Sequence, residues 1–373
     1  MSSERRGDNR LDETVAVPPR AVMKLALVVV AVLSCLAGIA VVEISYRVLA
    51  GLPVFSLADW RSEGVTVARF GDRAIYDPVL GWTLRSGFTS NGFNTLQHGI
   101  RRNFDEAHVR TGAVLAVGDS FTEGWDEVRD SETWPAHLDR LIGRPVVNAG
   151  VGGYATDQIL LRAEKLLPVV KPEILVVGFN EIDIFRSGHA PFGGPKPYFT
   201  IENGNLRFHA PQPLDFGDHP SALAKLGQAV RGFLGHLAVA DIILRRISLN
   251  YWYGDTRQVY RKVDTDEIAI TCALLKRVKG VSDKQRVKML LFMQYYGQFI
   301  QEEDSISDNA KKVHDCARNM DVEVVDQFES LREIAVAQPK AYREHYIIMD
   351  GQFQHMSSKG NAQAASLLAS GLQ

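Results

Sequence analysis

Cysteine is scarce in this chain, and none of its three cysteines (Cys35, Cys272 and Cys316) belongs to a CxxC pair or shows metal-ligand spacing. The sequence also lacks the glycine-rich loops that hold a nucleotide phosphate or a dinucleotide. No basic stretch is interleaved with aromatic residues, and the 42 basic residues nearly balance the 44 acidic ones. We therefore expect no metal, no cofactor and no nucleic-acid partner.

One long apolar run is present, from Leu25 to Val42, and it contains no charged residue. As a helix it spans about 27 Å, enough for the hydrocarbon core of a bilayer. The basic residues before it are Arg5, Arg6, Arg10, Arg20 and Lys24. The positive-inside rule predicts that residues 1–24 form a cytoplasmic tail, that residues 25–44 form a single-pass anchor, and that the rest of the chain lies outside the cytoplasm.

Other interpretations of this run remain open. A cleaved signal peptide normally ends in a small-x-small cleavage site, and no clear one closes the run. The segment Val32–Cys35 loosely resembles a lipoprotein signal, although the chain stays apolar through Val42. A buried helix of a soluble protein is the fourth alternative, and the basic lead-in speaks against it. In an exported body, Cys272 and Cys316 would lie in an oxidising compartment and could pair.

From residue 111 onward, short apolar runs alternate with helical patterns. Strands are predicted at 113–117, 145–148, 174–177, 287–293 and 322–325, with helices at about 156–167, 264–279, 306–319 and 359–370 and a helical pattern over 125–141. This alternation predicts an α/β fold with a parallel sheet covered on both faces.

Two segments interrupt the pattern. Residues 45–110 form a lead-in, which we expect to pack on the main domain of residues 111–373. An insertion at about 186–262 contains a hairpin with an Asn203-Gly204 turn and a helical stretch from 221 to 249 that ends in the aromatic segment 251–253. Those aromatic side chains could stack on a sugar, but we expect them to form the core of the insertion.

Four polar or glycine-rich clusters follow predicted strands or precede the last helix. They are Gly118-Asp119-Ser120, the segment 148–153 ending in Gly153, Gly178-Phe179-Asn180, and the C-terminal segment from Asp350 to His355 and Gly360. Each alone is equally consistent with a turn or a helix cap. Together, at the carboxyl ends of parallel strands, they would supply a nucleophile, amide donors, a base and an acid.

In order and in type, the four clusters resemble the four conserved blocks of the SGNH hydrolases, the GDSL esterase and lipase superfamily, in its membrane-anchored bacterial form. The resemblance implies a flavodoxin-like three-layer α/β/α sandwich. It also implies that Ser120 is the nucleophile and His355 its base. The oxyanion hole would comprise the backbone amides of Ser120 and Gly153 and the side chain of Asn180.

The sequence departs from the family pattern at two positions. Glu181 follows Asn180 where the family usually has aspartate, which keeps a carboxylate there. Gln352 stands three residues before His355, where the family usually carries its triad aspartate. Asp350 is the only acid nearby, so either Asp350 orients His355 across a longer loop or a backbone carbonyl does so.

The predicted function is a serine esterase that removes O-acyl groups, acetyl in the first instance, from an envelope carbohydrate or a related ester. The anchor would hold it in the bacterial cytoplasmic membrane with its catalytic domain on the periplasmic side. One alternative is an O-acetyltransferase that uses the same acyl-enzyme to modify an exported polysaccharide. Another is a non-catalytic protein that only binds envelope glycan. The expected partners are an acylated small molecule or glycan and the membrane.

Overall fold

The computed structural model describes residues 20–125, 127–211, 222–253 and 260–372, and Arg5, Arg6 and Arg10 of the predicted tail lie outside them. The strands in these residues, numbered in chain order, are β1 Ala74–Asp77, β2 Gly81–Leu84, β3 Val114–Val117, β4 Val146–Asn148, β5 Ile174–Asn180, β6 His189–Phe192, β7 Tyr198–Glu202, β8 Asn205–His209, β9 Tyr260–Lys262, β10 Lys288–Gln294, β11 Glu323–Asp326, β12 Tyr346–Met349 and β13 Gln352–Met356. The helices are α1 Arg20–Leu49, α2 Trp60–Phe70, α3 Ser120–Glu123, α4 Trp134–Ile142, α5 Thr156–Val170, α6 Glu181–Ser187, α7 Ala222–Gly235, α8 Ala238–Ile247, α9 Leu249–Tyr253, α10 Glu267–Lys284, α11 Gly297–Glu302, α12 Asp308–Arg318, α13 Phe328–Ala337, α14 Pro339–Arg343 and α15 Ser358–Gly371.

Five parallel strands form the central sheet in the order β11-β10-β5-β3-β4. All four residues of β3 are fully buried, as expected for a central parallel strand covered on both faces. The strands predicted from the sequence correspond to these five. The predicted α/β class with a parallel sheet is therefore confirmed.

The direction of the crossovers assigns the helices to two layers. The chain moves outward from β3 through α4 to β4, and then returns past β3 through α5 to β5. Because such crossovers are right-handed, this reversal puts α4 and α5 on opposite faces of the sheet. α10 packs against α5, and α15 packs against α4. The result is the α/β/α sandwich, with a switch in strand order beside β3 where ligands bind in such folds.

The lead-in packs against the carboxyl end of this sheet. Its hairpin of β1 and β2 carries Trp82, whose indole Nε1 donates a hydrogen bond to the carbonyl of Gly152 at 3.0 Å. Arg101, also from the lead-in, is almost fully buried beneath the loop that follows Ser120. The lead-in thus contributes to the surroundings of the predicted site.

The insertion contains the predicted β7–β8 hairpin around Asn203 and Gly204, and the helices α7, α8 and α9. Trp252 and Tyr253 are buried in a small core with Val65 of α2. Tyr251 is 59% exposed. Two of the three aromatic side chains at the end of the predicted helical stretch therefore belong to a core.

α1 includes the predicted anchor, and its segment Met23–Leu49 is long and apolar enough to cross a membrane. Cys272 on α10 and Cys316 on α12 form a disulfide, with their Cα atoms 5.7 Å apart. Cys35 on α1 is a free and exposed thiol.

Two local predictions differ from the structure. The helical pattern over 125–141 becomes a helix only at Trp134, because α3 ends after one turn at Gly124, which adopts a left-handed conformation with φ of 93°. His355 lies in strand β13 of a two-stranded antiparallel sheet, where the sequence suggested a loop.

Candidate active site

Ser120 is the first residue of α3, directly after strand β3 and the two-residue turn of Gly118 and Asp119. Asp119 caps this helix, because its Oδ1 accepts a hydrogen bond from the amide of Phe121 at 2.8 Å. The turn is too tight for a side chain at Gly118, where a Cβ atom would lie 2.0 Å from Oγ1 of Thr122. This geometry holds the Ser120 hydroxyl at the carboxyl edge of the sheet.

His355 meets Ser120 across 235 residues of sequence, with its Nε2 at 2.9 Å from the Ser120 Oγ. That distance is a hydrogen bond of the kind that joins a nucleophile to its base. The imidazole is flanked by two aromatic rings. Trp125 stacks on it with centroids 4.7 Å apart and planes at 11°, and Phe121 lies 5.3 Å away at 50°.

The charge state of His355 is set by its surroundings. Burial, followed by the positive charges of Arg186 and Arg73, lowers its pKa to about 4. The imidazole is therefore neutral at pH 7, as a proton acceptor must be.

The structure does not bring Asp350 to His355. Asp350 lies in the exposed turn between β12 and β13, with a left-handed φ of 51°. Strand β13 begins at Gln352, just after this turn, and His355 lies three residues further along it. At the rise of a strand, the Cα atoms of Gln352 and His355 are on the order of 10 Å apart. Among the described residues no carboxylate or backbone carbonyl forms a hydrogen bond with His355, and its hydrogen-bond partner there is Ser120.

Asn180 ends strand β5, the neighbour of β3, and caps α6. Its Oδ1 accepts a hydrogen bond from the amide of Ile182 at 3.3 Å. Its Nδ2 is buried and has no hydrogen-bond partner in the described part of the chain. A buried donor without a partner carries a free-energy cost, so it is available for a ligand oxygen.

Gly153 follows strand β4 in a left-handed conformation with φ of 77°, which favours glycine. The preceding residue, Gly152, is fixed by the Trp82 hydrogen bond to its carbonyl, and a Cβ atom at this position would lie 3.0 Å from the Trp125 ring. Ser120, Gly153 and Asn180 thus follow three adjacent strands, β3, β4 and β5, at the same edge of the sheet.

Trp125 has an unusual backbone for a bulky residue, with φ of 46°. The buried guanidinium of Arg101 holds this loop by donating to the carbonyls of Glu123 at 2.8 Å, Trp125 at 3.0 Å and Val128 at 2.7 Å. Sequence reasoning missed both residues. The sequence signal for this contact was a tryptophan directly after the glycine that ends α3. Its position does not indicate which residue the tryptophan contacts.

A buried charged cluster lies behind Ser120. Nη1 of Arg186 is 2.7 Å from Oδ1 of Asp183 and 3.5 Å from Oδ2 of Asp119. Burial and the negative charge of Asp119 raise the pKa of Asp183 well above its usual value. Asp183 also accepts a hydrogen bond from the backbone amide of Asn180 at 2.8 Å. The cluster therefore links the Ser120 turn to the end of β5.

A cavity of about 280 Å³ opens beside Asn180. Its lining is largely aromatic and apolar, from Ile182, Phe185, Tyr296 and Phe299, with the Glu181 carboxyl among them. Tyr296 stands edge-on to Phe121 at 5.1 Å, so the cavity adjoins the Ser120 turn. This volume is at the small end of ligand sites.

Residues 116–363 match the model of the GDSL-like Lipase/Acylhydrolase family. Similar solved structures include a putative lipolytic protein of the G-D-S-L family from Desulfitobacterium hafniense DCB-2, with 11% identity over 70% of this chain and 99% of that chain and a TM-score of 0.36. The acetyl xylan esterase AlAXEase has 12% identity over 70% and 99% with a TM-score of 0.39, and a lipase/acylhydrolase from Enterococcus faecalis has 14% over 70% and 95% with a TM-score of 0.39. No curated protein matches the chain.

Proposed function

Because the chain belongs to the GDSL-like lipase/acylhydrolase family, we propose that it is a serine esterase that removes small O-acyl groups, acetyl in the first instance, from an envelope carbohydrate. The observation that carries the catalytic part of the proposal is the 2.9 Å contact between the Ser120 hydroxyl and the neutral His355 imidazole.

The reaction proceeds through an acyl-enzyme. The Ser120 Oγ attacks the ester carbonyl while His355 Nε2 takes its proton, and the carbonyl oxygen becomes an oxyanion. The Asn180 Nδ2 and the backbone amides of Ser120 and Gly153 donate to that oxyanion. His355 then returns the proton to the leaving alcohol, and the C–O bond breaks. Water, deprotonated by His355, releases the acid and restores Ser120.

We propose that this pair works without Asp350. In a triad the acid fixes the orientation of the imidazole and stabilises its protonated form. Here the flat stack of Trp125 on His355 supports the orienting role, since the two planes are only 11° apart. Among the residues that the structure describes, no carboxylate takes the stabilising role, and Arg186 and Arg73 oppose protonation. The oxyanion, which forms together with the imidazolium, supplies the compensating negative charge.

Two observations support a small acyl group on a carbohydrate. The cavity beside Asn180, of about 280 Å³, has room for a sugar ring and a short acyl group. Its aromatic lining from Phe185, Tyr296 and Phe299 suits the faces of a sugar ring.

The envelope location is supported by α1 and by the disulfide. α1 is long and apolar enough to span a membrane, and the basic residues lie before its apolar run, which favours a cytoplasmic N-terminus. A disulfide between Cys272 and Cys316 is typical of proteins in an oxidising compartment. Both support a catalytic domain on the extracytoplasmic side.

The test uses the full chain in detergent micelles with aryl acetate and aryl octanoate, followed by an O-acetylated glycan whose acetate release is measured. We expect faster turnover of the aryl acetate than of the aryl octanoate, and covalent labelling by a fluorophosphonate. Turnover and labelling should both be lost in Ser120→Ala. Ser366→Ala, an exposed serine on α15, is the matched control and should behave as the parent. No turnover and no labelling of the parent would overturn the esterase proposal. If the acetyl group is transferred faster to a glycan hydroxyl than to water, the protein is an O-acetyltransferase and the esterase proposal is wrong.

A further inference from the structure

The insertion helices expose an apolar face. On α7, Leu226, Val230 and Phe233 are 62%, 48% and 68% exposed, and their spacing of four and three residues puts them on one side of the helix. On α8, Ile243 and Ile247 are 50% and 74% exposed and lie one turn apart. Single exposed apolar side chains are ordinary, but sets that share one side of a helix, on two neighbouring helices, indicate an interaction surface.

The same region is joined to the end of α1. The Glu43 carboxylate caps α8 by accepting hydrogen bonds from the amides of Ala238 at 2.8 Å and Val239 at 3.0 Å. Arg47 donates to Glu43 at 2.7 Å and to the carbonyl of His236, between α7 and α8, at 3.0 Å. The turn between α7 and α8 is therefore fixed at the level of Glu43.

That level coincides with a membrane boundary. The part of α1 from 23 to 42 rises about 30 Å, which is the thickness of a hydrocarbon core, so Glu43 lies at its edge. The first turn of α8 reaches the same edge, because Glu43 caps it. Phe55 and Leu57 follow α1 and are 100% and 92% exposed. They lie in the segment whose backbone carbonyls, at Val54 and Ser56, accept hydrogen bonds from Arg47.

Charge near this apolar face also suits a lipid surface. Arg245 and Arg246 occupy the last turn of α8, next to Ile247, and both are exposed. Apolar and aromatic side chains flanked by arginine are typical of helices that lie in the interface of a bilayer. A second copy of the chain would need no such proximity to the anchor.

We propose that the face formed by Leu226, Val230, Phe233, Ile243 and Ile247, with Phe55 and Leu57, lies in the interface of the membrane that α1 crosses. The insertion is then a second membrane contact, and the body rests on the lipid surface. This inference depends on α1 spanning a membrane and is independent of the esterase chemistry.

The test measures membrane depth on the full chain in nanodiscs that hold one copy each. In a Cys35→Ser background with the disulfide intact, Phe233→Cys and, separately, Ile247→Cys carry an environment-sensitive fluorophore. Val336→Cys on α13 is the matched control, because Val336 is 65% exposed. Quenching is compared between lipids with a shallow doxyl group and iodide in the buffer.

We expect several-fold stronger quenching by the doxyl lipid at residues 233 and 247 than at 336, and the reverse order with iodide. Equal lipid quenching at all three positions would overturn the proposal. Protection of residues 233 and 247 from iodide without lipid quenching would overturn it too, because a protein surface would then cover the face. Since all three side chains are exposed, the substitutions are not expected to disturb folding.

Discussion

Replacing Asn180 with serine separates the two roles that its side chain has in the structure. Its Oδ1 caps α6 through the amide of Ile182, and its buried Nδ2 lacks a partner among the described residues. Serine is about as good a helix cap as asparagine, so Asn180→Ser preserves the first role and removes the amide donor. We expect kcat to fall by about 10²–10³, or roughly 3–4 kcal/mol of barrier, as for other single oxyanion donors.

KM should change little, because the oxyanion exists only in the transition state and the intermediate. The assay is the initial rate on an aryl acetate over a range of concentrations, with thermal unfolding measured in parallel. Asp266→Ser is the matched control. Asp266 caps α10 by accepting from the amides of Ile268 and Ala269, far along the chain from the site, and the same change of cap should leave kcat unaltered.

Two results would refute this reasoning. A kcat within threefold of the parent, in a variant that unfolds at the parent's temperature, would mean that Asn180 does not donate to the oxyanion. An increase in KM at constant kcat would assign its amide to ground-state binding of the substrate.

Three further predictions concern His355 and its surroundings. Because catalysis needs neutral His355, kcat/KM should rise with pH through about 4, and a rise centred near 6.5 would contradict this prediction. Arg73→Gln should move the rise to higher pH, because it removes a positive charge that opposes protonation of His355. Trp125→Leu should lower kcat about tenfold with little change in KM, since the stack orients the imidazole, while Trp125→Phe retains most activity; a change confined to KM would make Trp125 a substrate platform. Asp350→Asn should leave kcat within about twofold on the same assay, whereas a loss near the 10⁴-fold seen when a triad acid is neutralised would return Asp350 to the triad.

The strands of the sheet could be predicted from sequence because burial on both faces makes each one a short continuous apolar run, as in Val114–Val117. The β7–β8 hairpin could be predicted from Asn203-Gly204, whose turn geometry is local. The resemblance to the SGNH hydrolases predicted Ser120 and His355 as site residues, which the structure places 2.9 Å apart, and the matched family model confirms the family. These predictions depend on local pattern or on short motifs.

The surroundings of His355 were not predictable in this way. Among the described strands, β13 pairs only with β12, and it mixes polar with apolar residues, so neither its pattern nor its length stands out. The Trp125 stack depends on the positive φ of one residue and on a guanidinium from the lead-in. Such contacts join residues that are far apart in sequence, so the periodicity of apolar residues does not indicate them.

The lead-in therefore contributes more than packing to the site. Trp82 holds the carbonyl of Gly152 beside Gly153, and Arg101 holds the loop that carries Trp125. Arg73, 5.1 Å from the Trp125 ring centroid, contributes to the low pKa of His355.

The lead-in begins within the last turns of α1, and both contact the insertion. Arg47 of α1 binds the carbonyls of Val54 and Ser56, and the guanidinium of Arg61 on α2 donates to the carbonyl of Trp252 on α9 at 2.6 Å. A chain of hydrogen bonds and packed side chains thus runs from α1, through α2 and the β1–β2 hairpin, to the loops around Ser120. If the anchor and the insertion both rest in the bilayer, this continuity fixes the orientation of the esterase site relative to the lipid surface.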